Sequence, residues 1–178
     1  MKGKLSTVSF LMSMAATFFL YTILHEMGHG IVGMLCGGKI VRLNIGFNAH
    51  IGIENASYNF FTLPLMNAGG ILLPFFALLL MLLFYKNTIK NKWYHLMHLF
   101  FSIMVLCSAL AWVAFPIVSL FTPIAQGDDV TDFIYHSNIH PIIISLFAIA
   151  LILSFTALIY KKGVFQNGLG LLRNKRLK

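Results

Sequence analysis

The sequence predicts an all-α integral membrane protein of about four transmembrane helices, with a short β-hairpin after the first. Three observations carry this. Hydrophobic residues make up 58% of the 178 residues and charged residues only 10%. Four apolar runs each approach or exceed the roughly 20 residues needed to cross a bilayer. Between the first two runs, the pattern changes from continuous apolar sequence to apolar–polar alternation.

The first run extends from about Leu5 to Cys36 and stops at Gly37-Gly38, because glycine tolerates a left-handed helix cap. Lys2 and Lys4 followed by an apolar stretch also fit a signal peptide, and "SMA" at 13–15 fits a cleavage site. The run continues without polar relief into "HEMGHGIVGML", so an uncleaved first helix is expected. Residues 39–54, "KIVRLNIGFNAHIGIE", then alternate, with "GFNAH" as a turn, which reads as a hairpin. The second run spans about Phe60–Tyr85 and the third about Tyr94–Phe121, with a kink expected at Pro116. The fourth spans about Ile139–Tyr160. Residues 1–160 are read as a single transmembrane domain, and 161–178 as a basic C-terminal tail at the membrane surface. Cys36 and Cys107 make neither a disulfide framework nor a zinc ribbon, and are read as packing residues.

The formal charge of +8 is read as membrane orientation, with no nucleic acid partner, because the cations lie between and after the apolar runs. Lys2 and Lys4 precede the first helix. Lys86, Lys90 and Lys92 join the second to the third. Lys161, Lys162, Arg173, Lys175, Arg176 and Lys178 follow the fourth. Only Lys39 and Arg42 fall elsewhere. The positive-inside rule then gives a multi-pass protein with both termini cytoplasmic, expected in the plasma membrane of a prokaryote. That topology puts the outer end of helix one, with His25 and His29, on the same side as the loop "TPIAQGDDVTDF".

The chemistry centres on "HEMGH". Residues four apart share a helix face, so His25 and His29 can hold one metal ion. Glu26, one step on, can take a proton from a water that bound zinc has made acidic. The competing reading is a histidine–glutamate hydrogen bond that glues helices together, but an acid inside a membrane helix is costly and points to function. The glycines at 28, 30 and 33 leave room for a neighbouring backbone or for water. A catalytic zinc takes a third protein ligand. Beyond Glu26 the chain has four acids: Glu54, Asp128, Asp129 and Asp132. Asp129 is the expected ligand, with Asp128 next. One aspartate can cap a following helix while the other ligates.

"HEMGH" in a membrane helix, a glycine-ended turn and hairpin, "NAGGILLP" in the next helix, and an aspartate after a proline-containing segment together resemble the site-2 protease family of intramembrane zinc metalloproteases. The resemblance covers roughly residues 20–132. In "FTPIAQGDD" the glycine precedes the aspartates, whereas the family pattern is proline then Asp-Gly; this leaves Asp128 and Asp129 both open as ligand. The resemblance implies zinc-dependent cleavage of a membrane-embedded or membrane-adjacent protein or peptide. His25, His29 and one aspartate would be ligands, and Glu26 the general base. Asn67 would steady the substrate carbonyl or backbone, or else make an interhelical hydrogen bond. An exposed strand, 41–45 or 50–53, could pair with an unwound substrate. Many members have their active site nearer the cytosol, whereas the charge count here puts it nearer the outer face.

Two rival classes remain. "HLMH" (His95, His98) and "HSNIH" (His136, His140) join "HEMGH" as histidine pairs, as in membrane di-iron oxygenases and desaturases. No histidine is doubled, and His95 and His98 are expected at the inner end of helix three, as interfacial side chains. His136 or His140 could replace the aspartate as ligand, and His50 is read as a loop residue. The third class is a non-catalytic metal-binding membrane protein, in which Glu26 would have no task.

Overall fold

The computed structural model describes residues 7–172. The expected cytoplasmic charges Lys2, Lys4, Arg173, Lys175, Arg176 and Lys178 lie outside the described residues. In chain order the elements are α1 (Thr7–Leu35), β1 (Lys39–Asn44), β2 (His50–Glu54), α2 (Thr62–Leu83), α3 (Lys92–Ala109), α4 (Ala111–Ser119), α5 (Asp129–Ser137), α6 (Pro141–Lys162) and α7 (Val164–Leu172). Four helical stretches are long and apolar enough to cross a membrane: α1, α2, the pair α3–α4, and α6. The chain is an integral membrane protein, and its outward faces carry large apolar side chains such as Leu11, Phe76 and Phe147.

α1 is continuous through the HEMGH motif. Its polar side chains turn inward and bond their own backbone: Ser13 to the Ser9 carbonyl, and Thr17 to the Ser13 carbonyl at 2.7 Å. Its end is set by Gly37 at φ +84°. The Gly38 amide donates to the Gly33 carbonyl and the Gly37 amide to the Met34 carbonyl, which closes a Schellman motif.

The hairpin is antiparallel, and its register pairs Ile40 with Ile53 and Leu43 with Ile51. The simple alternation expected from the sequence fails at Val41, where a bulge interrupts the ladder between Ile40 and Arg42. The extra residue puts Ile40 and Leu43, three apart, on the face of Ile51 and Ile53. His50, expected in the turn, is the first residue of β2 and bonds Asn44 at 3.3 Å. The turn folds back along α1, where the Phe47 ring lies 5.0 Å from that of Phe18.

The third span breaks at Leu110, between α3 and α4, rather than at Pro116. The ladder tightens at Leu110, where its amide donates to the Cys107 carbonyl and its carbonyl accepts from the Val113 amide, whereas the carbonyl that Pro116 crowds, on Trp112, lies within α4. Cys107, expected to pack, is exposed on the flank of α3, whereas Cys36 is half-buried.

The dense core lies at the lysine end of the bundle. Leu78, Leu82, Leu96, Leu99, Phe101 and Ile159 are fully buried there. Residues 164–172, expected as surface tail, form α7. This helix packs on α3, with Val164 and Leu171 buried and Gly168 against Leu99. His95 and His98, expected as interfacial, are buried here instead. The Tyr85 hydroxyl lies 2.6 Å from His95 Nδ1, and His95 Nε2 donates to the Ile89 carbonyl at 2.6 Å. Asn167 bonds both Tyr85 and Asn87, and Lys162 reaches the Leu83 carbonyl. The α2–α3 loop and the end of α6 therefore meet at one end of the molecule.

Candidate metal and peptidase site

At the other end, α1 and α5 bring three ligating atoms together. His25 Nε2 lies 3.0 Å from Asp129 Oδ2, and His29 Nε2 lies 3.2 Å from the same oxygen. The two Nε2 atoms are 3.3 Å apart. Helical spacing aims both imidazoles the same way. Among the described residues this is the group of His, Cys, Asp and Glu able to hold a metal ion.

Local chemistry at the start of α5 decides which aspartate joins them. Asp128 is the N-cap: its carboxylate accepts from the amides of Val130 and Thr131, while the Thr131 hydroxyl bonds back to the Asp128 amide. This capping box occupies Asp128. Asp129 is then the first helical residue, free to turn toward α1. Burial pushes the Asp129 carboxyl pKa up, but hydrogen bonds and charge from His25 and His29 in their protonated forms outweigh it. The group is held well below the usual carboxylate range and is ionised at neutral pH. Asp132 accepts from the Gly127 amide and stays outside the cluster.

With both histidines neutral, the hydrogen-bond pattern suits a cation between the three atoms. His29 Nδ1 lies 2.7 Å from the Met66 carbonyl, which can only accept, so Nδ1 carries the proton. In the neutral ring, Nε2 then presents a lone pair to the Asp129 carboxylate and to His25. Among the described residues His25 Nδ1 is buried with no hydrogen-bond partner. With both rings neutral, at most one N–H, on His25, can sit among the three converging atoms. The donor set is thus rich in lone pairs and anionic, which suits a metal ion.

Glycines make this arrangement possible. A Cβ on Gly28 would collide with the backbone carbonyl of Gly69, so α1 and α2 cross at backbone contact. That crossing brings the Met66 carbonyl to His29. A Cβ on Gly70 would strike His29 Nε2 and lie 2.6 Å from His25 Cε1. Gly30 accommodates Ile51 and Ile40 of the hairpin, and Gly33 accommodates Ile53 and the Tyr58 hydroxyl. The space left by the α1 glycines is therefore filled by a backbone at 28 and by hairpin side chains at 30 and 33.

Glu26 is 5% exposed, and its carboxyl lies in the electrostatic field of His25, His29, Asp129 and His50. The side chains of His25 and Asp129 remain 27% and 34% exposed, enough for water to reach the cluster. Asn67 is buried on α2 beside Met66, with Nδ2 3.5 Å from His136 Nδ1. His136 Nδ1 donates to the Asp132 carbonyl at 2.7 Å. His140 is the N-cap of α6 and accepts from the Ile142 amide. Neither histidine joins the cluster, nor do His95 and His98, so the histidine pairs do not assemble a di-iron site. The Met66 carbonyl and Gly70 escaped sequence reasoning. "NAGG" was the available signal for Gly70, whereas a backbone carbonyl leaves none.

No curated protein and no solved structure matches the chain significantly. A family model described as Peptidase M50B-like does match, over residues 8–127, which takes in α1, the hairpin, α2 and the third span and ends two residues before Asp129. With a match over more than half its length, the chain belongs to the site-2 protease family of membrane metalloproteases.

Proposed function

We propose that this protein is a zinc-dependent endopeptidase that cleaves a membrane-embedded or membrane-adjacent peptide, with His25, His29 and Asp129 as zinc ligands and Glu26 as general base. The observation that carries the reading is the convergence of the three ligating atoms at 3.0–3.3 Å from one another. A tetrahedral ion with ligands at about 2.0–2.1 Å has tetrahedral edges of roughly 3.3 Å, close to this triangle. Two nitrogens and one carboxylate leave a fourth position for water, the pattern of catalytic rather than structural zinc.

When bound, zinc supplies a Lewis acid that lets water ionise near neutral pH. The protein's own residues do the rest. Glu26, buried beside the cluster, takes the proton from the attacking water and delivers it to the departing amine. The Met66 carbonyl fixes the His29 tautomer and ring plane. Asn67, on the α2 face next to the site, is proposed to hold the substrate carbonyl or backbone. The hairpin is proposed to hold the substrate extended: β1 is the more exposed strand, and its free edge offers backbone groups to an unwound chain. Lysines at the opposite end of the bundle support termini on the cytoplasmic side of a prokaryotic plasma membrane, with the site toward the outer face.

The test is metal content of the detergent-purified protein, wild type beside His25→Ala and Asp129→Ala. About one zinc per chain, lost in both variants, is expected. Iron, or no metal, would overturn the reading. Zinc lost only with His25→Ala would remove Asp129 from the ligand set.

A further inference from the structure

An apolar cavity of about 650 Å³ lies between α2, α5 and α6, next to the site but outside it. Ala68, Ile71 and Phe75 of α2, Phe133 of α5, and Ile144 and Ala148 of α6 are among its lining residues. We propose that this cavity is the subsite for bulky apolar side chains of the peptide being cleaved, a reading that rests on the peptidase assignment above. The substrate class is therefore a peptide with leucine- or phenylalanine-like residues a few positions from the cut.

Three features commit the cavity to a peptide. First, α5 is shared. Asp129, Phe133 and Ser137 follow one another at intervals of four along one side of the helix, and the latter two line the cavity. At 1.5 Å per residue, the cavity begins about 6 Å along α5 from the cluster. Second, α2 is shared. Ala68 and Ile71 flank Gly69-Gly70, the pair that packs against α1 and the histidines. An extended chain advances about 3.3 Å per residue. A peptide with one carbonyl at the cluster thus lays a side chain two to four residues away into the cavity. A lipid acyl chain also ends in a carbonyl, but it has no side chain to place in a pocket beside its own path. Third, the rim faces lipid: Phe61, Leu72 and Phe147 are 78%, 42% and 63% exposed. α2 and α6 meet only sparsely, so an apolar segment can enter from the bilayer.

Lipid is already apolar, so entry gains little from leaving it. Selectivity comes from dispersion contacts in a shaped wall. This limits the expected preference for Leu or Phe over Ala to roughly tenfold, the low end for a hydrophobic enzyme pocket.

The experiment uses the full chain in phosphatidylcholine–phosphatidylglycerol vesicles. The probe is a synthetic apolar peptide of ~20 residues, with a photoreactive leucine scanned through each position. In Glu26→Gln protein, crosslinks to Phe133 and Ile144 are expected, and Ala148→Leu and Ala68→Leu should reduce them several-fold. In parallel, wild type should cleave Leu- and Phe-containing peptides about tenfold faster than the Ala version. Ala148→Leu should erase that preference, so that the Leu, Phe and Ala peptides are cleaved at similar rates. Crosslinks that avoid the cavity, or a preference that survives both filling variants, would overturn the proposal. So would a photoreactive phospholipid that labels the cavity and is not displaced by peptide. Cleavage abolished by Glu26→Gln without cavity labelling leaves the peptidase standing and removes the subsite. Cavity labelling with no cleavage by wild type leaves a peptide-binding cavity, removes the peptidase, and so overturns the cavity as a subsite for cleavage.

Discussion

Replacing Gly70 by alanine adds one methyl group and should empty the metal site. The new Cβ would stand 2.6 Å from His25 Cε1 and 2.8 Å from His25 Nε2, and would also strike His29 Nε2. Ordinary contact begins near 3.4 Å, so the His25 ring must retreat by well over half an ångström. His29 cannot swing aside without breaking its 2.7 Å bond to the Met66 carbonyl. Ligand distances in a metal site tolerate about 0.2 Å. Loss of an outer partner alone typically costs 10–100-fold in affinity, and Gly70→Ala should cost at least that. The assay is zinc competition against a chromogenic chelator, with thermal unfolding as the fold check. Gly37→Ala is the control: its Cβ meets nothing within 4 Å, although φ is +84°. It should cost about 1 kcal/mol of stability through backbone strain and leave zinc affinity unchanged. A folded Gly70→Ala protein with wild-type zinc affinity would refute the argument, because the metal would then not lie between these two rings.

Glu26→Gln should keep zinc and lose at least the 10²–10⁴-fold that general base catalysis supplies; cleavage rate and metal content measured on one preparation separate the two. The adjacent aspartates should divide cleanly. Asp128→Ala should lose about 0.5–2 kcal/mol of stability with zinc retained, the usual cost of an N-cap, whereas Asp129→Ala should lose zinc; unfolding midpoints and metal content decide. Gly28→Ala drives a methyl into the Gly69 carbonyl, a backbone group that cannot rotate away. It should cost 1–3 kcal/mol or more and weaken zinc binding together with stability, so a stable, zinc-replete variant would count against the tight crossing. Val41→Pro should slow cleavage several-fold without loss of zinc if β1 guides the substrate, because proline removes a donor from the strand edge.

The spans and the hairpin were legible because both rest on side-chain pattern, and the bilayer enforces that pattern strongly. The histidine pair was legible for the same reason, since a spacing of four is a statement about one helix face. Asp128 and Asp129 were less so: both neighbour a helix start, and each has a capping partner three residues on. The choice fell to Thr131, whose hydroxyl completes the box with Asp128. Three features left no usable trace. The Met66 carbonyl is backbone, identical at every residue. The Val41 bulge appears only once the two strands are in register. His95 looked interfacial because its neighbours Trp93 and Tyr94 suit that place, and its burial depends on Tyr85 and the Ile89 carbonyl arriving from outside the helix.

The distribution of packing explains how a rigid site and a permissive one coexist. At the lysine end, large aliphatic side chains fill the space between α2, α3, α6 and α7. At the site end, small residues set the distances. Gly28 and Gly69 fix how near α1 comes to α2, and Gly30 and Gly33 fix how near the hairpin comes to α1. Contacts between backbones, or between a backbone and a branched side chain, have few ways to relax, so they hold the histidines and the strand edge in place. Between α2 and α6 neither device operates, and the cavity opens there. A peptidase of the kind proposed, acting on apolar chains, would need this division. Metal ligands that drifted by an ångström would lose the reaction. A substrate channel packed to the density of the lysine end would admit no substrate.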